Sequence, residues 1–158
     1  MWRDLAESAP EIAAPGRERL EGAGLALLGT LRRDGSPRIS PVEPYFTQDD
    51  LVFGAMAWSA KRHDLARDPR CVLHSVVSEP DAGEPELKLY GHAIELDARA
   101  RSRVARGWWA EPSDDAAAVF ALRIERAVFV IWHITDGAVT IRHWSARGGF
   151  AESRRSYP

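Results

Sequence analysis

Hydrophobic and polar positions along the chain follow two periods, and the shorter one dominates. Ala26-Leu27-Leu28-Gly29-Thr30-Leu31 reads as a strand, Arg32-Arg33-Asp34-Gly35 as a turn, and Pro37-Arg38-Ile39-Ser40-Pro41-Val42 as a second strand. Together they predict a β-hairpin. Pro41 brings no N–H to a ladder, so its strand belongs at an edge, a bulge or a gap facing a ligand. Gln48-Asp49-Asp50 is a turn before a third strand, Leu51-Val52-Phe53-Gly54, and residues 72–77 form a fourth. An acidic loop over 78–85 leads into a long alternating strand over 87–96, in which Gly91 marks a bulge or a close backbone approach. Residues 127–134, the turn Thr135-Asp136-Gly137 and residues 139–144 make a second hairpin. The Gly- and Arg-bearing tail reads as irregular, with Gly148-Gly149 flexible.

The helical period appears in four places. Residues 8–22 carry Ser8 as a cap, Pro10 early and Ile12 and Leu20 among charges, but Pro15-Gly16 predicts a short or kinked helix. Ser59 is placed to cap two turns over 60–67, which Asp68-Pro69 ends. A helix over 97–110 ends at Trp108-Trp109, and Pro112-Ser113-Asp114-Asp115 restarts a short one through Ala118. Many short strands with a few helices predict one mainly β domain over 1–158, a small antiparallel barrel with the helices outside.

Composition narrows the function. A net charge of −2 provides no global field for nucleic acid or an acidic membrane. No apolar run is long enough to cross a bilayer, and the N-terminus lacks a signal peptide's apolar core. The one cysteine, Cys71, allows no internal disulfide and fits a reducing cytoplasm; it opens an apolar run and reads as a strand residue rather than a nucleophile. The five histidines lack ligand spacing, so no metal site is expected. Nucleophile elbows and phosphate-binding glycine loops are absent. Six tryptophans suggest the walls of a pocket or an oligomer interface.

The charge of one helix start stands out. Lys61 and Arg62 fall in the first turn after Ser59, where free N–H groups and the helix dipole already present positive potential. An anion among them resolves the conflict, and phosphate is the obvious candidate; the alternative is a solvated basic turn. With Arg38 and Pro41 on an edge strand and the aromatic residues, this suits a phosphorylated planar cofactor that carries the chemistry itself.

These residues also carry a family likeness. Asp34-Gly35-Ser36-Pro37-Arg38-Ile39-Ser40-Pro41-Val42, then Ser59-Ala60-Lys61 with Leu65 and Asp68-Pro69-Arg70, then Ile141-Arg142-His143-Trp144, resemble in order and spacing the pyridoxamine 5′-phosphate oxidase-like, FMN-binding split β-barrel proteins. The resemblance implies a Greek-key split antiparallel barrel, a homodimer with FMN at the interface, and flavin-dependent oxidoreductase chemistry on a small molecule. It implies that Arg38 and Lys61 hold the phosphate with Ser59 and Arg62 close by. The backbone of Ile39, Ser40 and Pro41 would lie along the ribityl chain and ring. Ala55 and Met56 would line the ring's other flank, Val42 and Trp58 would be further cofactor-binding positions, and Trp144 would reach the flavin from the partner chain. Three departures are visible. Ala60 stands where the oxidases keep an Arg, Glu86 where they keep a Gln, and Gly149-Phe150-Ala151 near their Arg-x-His pair. Vitamin B6 oxidation is therefore not expected. The same helix motif resembles deazaflavin (F420)-binding relatives. A non-catalytic flavin or haem carrier, with His74, His133 or His143 as ligand, is the third reading.

Overall fold

The computed structural model describes residues 1–108 and 117–157. Its elements in chain order are α1 (Trp2–Ser8), α2 (Pro10–Ala23), β1 (Ala26–Leu31), β2 (Pro37–Val42), β3 (Pro44–Phe46), β4 (Leu51–Met56), α3 (Ala60–Arg67), β5 (Arg70–Ser75), β6 (Glu86–Glu95), α4 (Ala98–Trp108), β7 (Ala117–His133), β8 (Ala138–Ser145) and β9 (Gly149–Ser156). The strands pair antiparallel in the order β2-β1-β5-β6-β7-β4-β3, and β8 and β9 continue from β7. Only Glu43 separates β2 from β3, so the two ends of that order are consecutive in the chain. The first half of this bent segment pairs with β1 and the second with β4, which closes the sheet into a barrel. Pro41 and Pro44 flank the bend, where missing N–H donors are tolerated.

The 17-residue β7 is the spine of the barrel. It pairs with β4 through Ala117–Ala121, with β6 from Phe120 to Val130, and with β8 from Arg126 onward. Phe53 and Phe120 face each other across the β4–β7 ladder and stack with centroids 5.7 Å apart. Leu28, Leu73, Leu89 and Leu122 complete a core with no exposed surface. Burial of that apolar area is the main force holding the strands together.

The helix over 8–22 is not broken at Pro15-Gly16. α2 runs unbroken through Pro15, and the chain breaks instead at Ala9. A proline inside a helix leaves the carbonyl four residues earlier without its donor. That carbonyl belongs to Glu11, and the Arg142 guanidinium donates to it at 3.0 Å from β8. Gly16 faces Leu87, close enough for the helix to lie against β6.

Two further expectations are corrected. The short helix through Ala118 does not form at its end, because Ala117 and Ala118 are paired strand residues of β7; positions 109–116 lie outside the described residues. Residues 117–120 are buried on both faces of the sheet, so they show no period of two to read. The tail is a strand, β9, paired along the whole of β8. It is exposed at nearly every position, which erases the hydrophobic pattern. Gly149, at φ 70°, makes the tight turn that returns the chain.

Cys71 lies on β5 opposite Gly91. Burial pushes its thiol up to about 12, against the opposing pull of a hydrogen bond from the Ala93 backbone. Native protein at pH 8 is expected to react with an aromatic disulfide reagent far more slowly than protein in urea. Because folding raises this pKa from an ordinary 9.0, its contribution to stability is complete below pH 9 and is lost as pH rises toward 12. Equal labelling rates with and without urea would contradict the burial.

Candidate functional site

The site is a slot between β2 and the start of α3. Ser59 precedes the helix in an extended conformation, and its carbonyl accepts from the Arg62 and His63 amides at 3.1 and 3.3 Å. The amides of Ala60 and Lys61 come before the first of these bonds and remain directed out of the helix start. Ser59 occupies the cap position but does not cap: its hydroxyl oxygen is buried with no hydrogen-bond partner among the described residues. Arg62 Nε is buried and unpartnered in the same way, while the end of its guanidinium reaches Glu95 at 3.3 Å. Unsatisfied buried donors and acceptors are uncommon, and two of them at one helix start need a physical reason.

Lys61 extends across the slot, its Nζ 3.4 Å from the Pro41 carbonyl. One turn further along the helix, Asp64 is buried and accepts from Arg38 Nε at 2.6 Å and from Thr30 Oγ1 at 3.0 Å. Arg67 adds a longer contact to the other oxygen at 3.5 Å and donates to the Leu31 carbonyl. Burial pushes the Asp64 carboxyl up, but its hydrogen bonds from Arg38, Thr30 and Arg67 outweigh that and hold it below the usual carboxylate range. Beside the slot a groove of about 280 Å³ is lined by Leu25, Pro41, Val42, Glu43, Gly54, Met56 and Lys61.

Most residues singled out from the sequence converge here. Arg38 and Ser40 are half-buried along β2, Ile39 is 71 % exposed, and Pro41 and Val42 border the groove. Ala55 is buried at the end of β4, Met56 is 51 % exposed and Trp58 is 80 % exposed. Of these exposed apolar residues Met56 lines the groove itself, beside Lys61. Trp144 is not part of it: only 4 % exposed on β8, it borders a separate cavity of about 980 Å³ with Met1, Arg123 and Arg147. Sequence reasoning missed Asp64 and Thr30 as site residues. The available signal was an acid three positions after Lys61 on the same helix face, next to the apolar Leu65.

Comparison with known proteins bears on the family and the fold. The family model described as pyridoxamine 5′-phosphate oxidase matches residues 15–131. The chain belongs to this family. Solved structures share its split β-barrel at low identity. A pyridoxamine 5′-phosphate oxidase-related, FMN-binding protein from Nostoc punctiforme aligns with TM-score 0.68 at 12 % identity, over 94 % of this chain and 98 % of that one. PhzG from Burkholderia lata, in complex with tetrahydrophenazine-1-carboxylic acid, gives 0.68 at 12 % identity over 99 % and 94 %. A haem-binding protein from Mycobacterium smegmatis gives 0.58 at 19 % identity over 97 % and 88 %. No curated protein matches the chain.

Within the pyridoxamine 5′-phosphate oxidase family, the three departures of this chain have structural settings. Ala60 is exposed at the first position of α3, so no guanidinium extends from that position. Glu86 is a partnered carboxylate at the start of β6, accepting from Lys88 Nζ at 2.6 Å and Trp132 Nε1 at 2.9 Å. Phe150 stands opposite Trp144 in the β8–β9 ladder. His74 Nε2 lies 3.6 Å from Glu86, and His133 Nε2 is 2.9 Å from Thr140 Oγ1. Among the described residues no group of three His, Cys, Asp or Glu is placed to hold a metal ion.

Proposed function

We propose that this chain is an FMN-binding oxidoreductase-like protein that acts as a homodimer on a small molecule. The observation that carries the reading is the helix start: the buried Ser59 hydroxyl without a partner among the described residues, beside the first-turn amides of Ala60 and Lys61, which no side chain caps, and the Lys61 ammonium. A phosphate supplies the acceptors and the negative charge that this arrangement lacks. Arg38 and Lys61 would hold the phosphate from the two sides of the slot. The groove bordered by Pro41, Val42 and Met56 would take the ring edge, and Ile39 and Trp58 would cover it with the partner chain.

FMN, when bound, supplies the transfer of reducing equivalents. The chain itself binds, orients and shields it. The groove of about 280 Å³ is small for a ligand of this size, which usually occupies about 300–1,000 Å³. A second copy closing over Ile39, Met56 and Trp58 would complete the enclosure. Trp144, sunk in its own core, would reach the partner's flavin through the cavity it borders. Vitamin B6 oxidation is not part of this proposal, because Gly149-Phe150-Ala151 offers no side chain to a substrate phosphate. The ring nitrogens of His74 and His133 already have protein partners, which disfavours these two as haem ligands; His143, exposed on β8, is the position a haem reading would use.

The test is an absorbance spectrum of the protein as purified, followed by fluorescence titration with FMN and F420 in parallel. Quenching of FMN fluorescence at one equivalent per chain is the expected result. Saturation by F420 alone would shift the assignment to the deazaflavin, with a steeper salt dependence from its polyglutamate tail. Uptake of neither would end the flavin reading.

A further inference from the structure

We propose that Asp64 is a positioning residue for the cofactor phosphate, acting through Arg38. The inference rests on the flavin reading of the same site. Arg38 lies on β2 opposite Thr30 of β1, and both side chains converge on one Asp64 oxygen from α3. The carboxylate takes the Nε of Arg38 at 2.6 Å, and neither Nη has a partner among the described residues, while 27 % of the side chain remains exposed. A guanidinium fixed through Nε presents its two Nη groups as a planar fork, the geometry that grips a phosphate by two parallel bonds. Without Asp64 the long Arg38 side chain would have to be ordered by the ligand itself, at an entropic cost taken out of affinity.

The same contact ties the two walls of the slot together. Asp64 lies one turn from Lys61, and Lys61 reaches the Pro41 carbonyl on the strand that carries Arg38. Asp64 pairs with both Arg38 and Arg67, so the cation of the slot with no carboxylate partner among the described residues is Lys61, at the helix start.

The experiment compares FMN with riboflavin, which has the same ring and ribityl chain but no phosphate, on the intact protein. Wild type is expected to prefer FMN. Asp64→Ala is expected to lower that preference by about tenfold, the loss of a charge-assisted phosphate contact, with riboflavin affinity unchanged. Asp64→Asn keeps an oxygen for Arg38 Nε and is expected to retain the preference within about threefold. Where Asp64→Ala does not fold, Asp64→Glu decides: it keeps the charge, moves the carboxylate by one methylene, and is expected to lose the preference. An unchanged FMN-to-riboflavin ratio in the deciding variant overturns the inference and leaves the flavin reading standing. Tighter FMN binding in both Asp64→Ala and Asp64→Asn also overturns it, since Asp64 would then be only a counter-charge. A wild type that binds neither flavin, or binds both equally, removes the phosphate site and the inference with it.

Discussion

Gly91→Ala is expected to destabilise the fold by about 3 kcal/mol or more, beyond the usual range for a single added methyl. Gly91 sits where the β6–β7 register shifts, between Tyr90 and Gly91. A Cβ built there would overlap the Arg123 carbonyl oxygen and approach Arg123 C at 3.0 Å and Glu125 N at 3.2 Å. These are backbone atoms in the spine strand, so no rotamer change relieves the overlap. The ladder would have to open at the bulge, next to the Cys71 pair on β5. Gly29→Ala provides the comparison: its Cβ would meet a side chain, Val72 at 2.7 Å, but no backbone atom nearer than 3.7 Å, so a smaller loss is expected. Urea unfolding of the two variants should separate them clearly, with the Gly91 variant far less stable or insoluble. Equal midpoints would mean that the bulge is not as tightly drawn as the register indicates.

The same glycine shows what was readable before the structure. Gly91 was legible because an isolated glycine in an alternating strand has few physical uses. β1, β2 and the hairpin of β7 and β8 were legible for a different reason, since a turn signal, Asp34-Gly35 or Thr135-Asp136-Gly137, separates two strand-forming runs. The start of β7 was not, because burial on both faces removes the alternation. β9 was not, because exposure on nearly every position does the same from the other side. Pro15 misled because the donor that rescues the helix, Arg142, comes from far along the chain. At the site, Ser59 and Lys61 could be picked out from local helix electrostatics alone. The Arg38–Asp64–Thr30 contact could not, since it joins β2, α3 and β1, and only tertiary structure brings those three together.

Lys61→Ala is expected to weaken FMN binding by about tenfold or more, roughly 1.5–3 kcal/mol, by removing a charge-assisted bond to the phosphate. The protein without ligand should behave differently. Lys61 makes no ion pair among the described residues, and its one contact is the long bond to the Pro41 carbonyl. Arg62, its neighbour, is answered by Glu95. An unanswered cation in the first turn opposes the helix dipole, and alanine is the better helix former at that position. The ligand-free variant should therefore unfold at the same temperature as wild type or slightly higher, while the rise in midpoint on adding FMN shrinks. Opposite signs in the two measurements distinguish a residue kept for a ligand from one kept for the fold, because a structural lysine would lose stability with and without FMN. Unchanged affinity would place the phosphate elsewhere and leave the basic first turn of α3 as a solvated face.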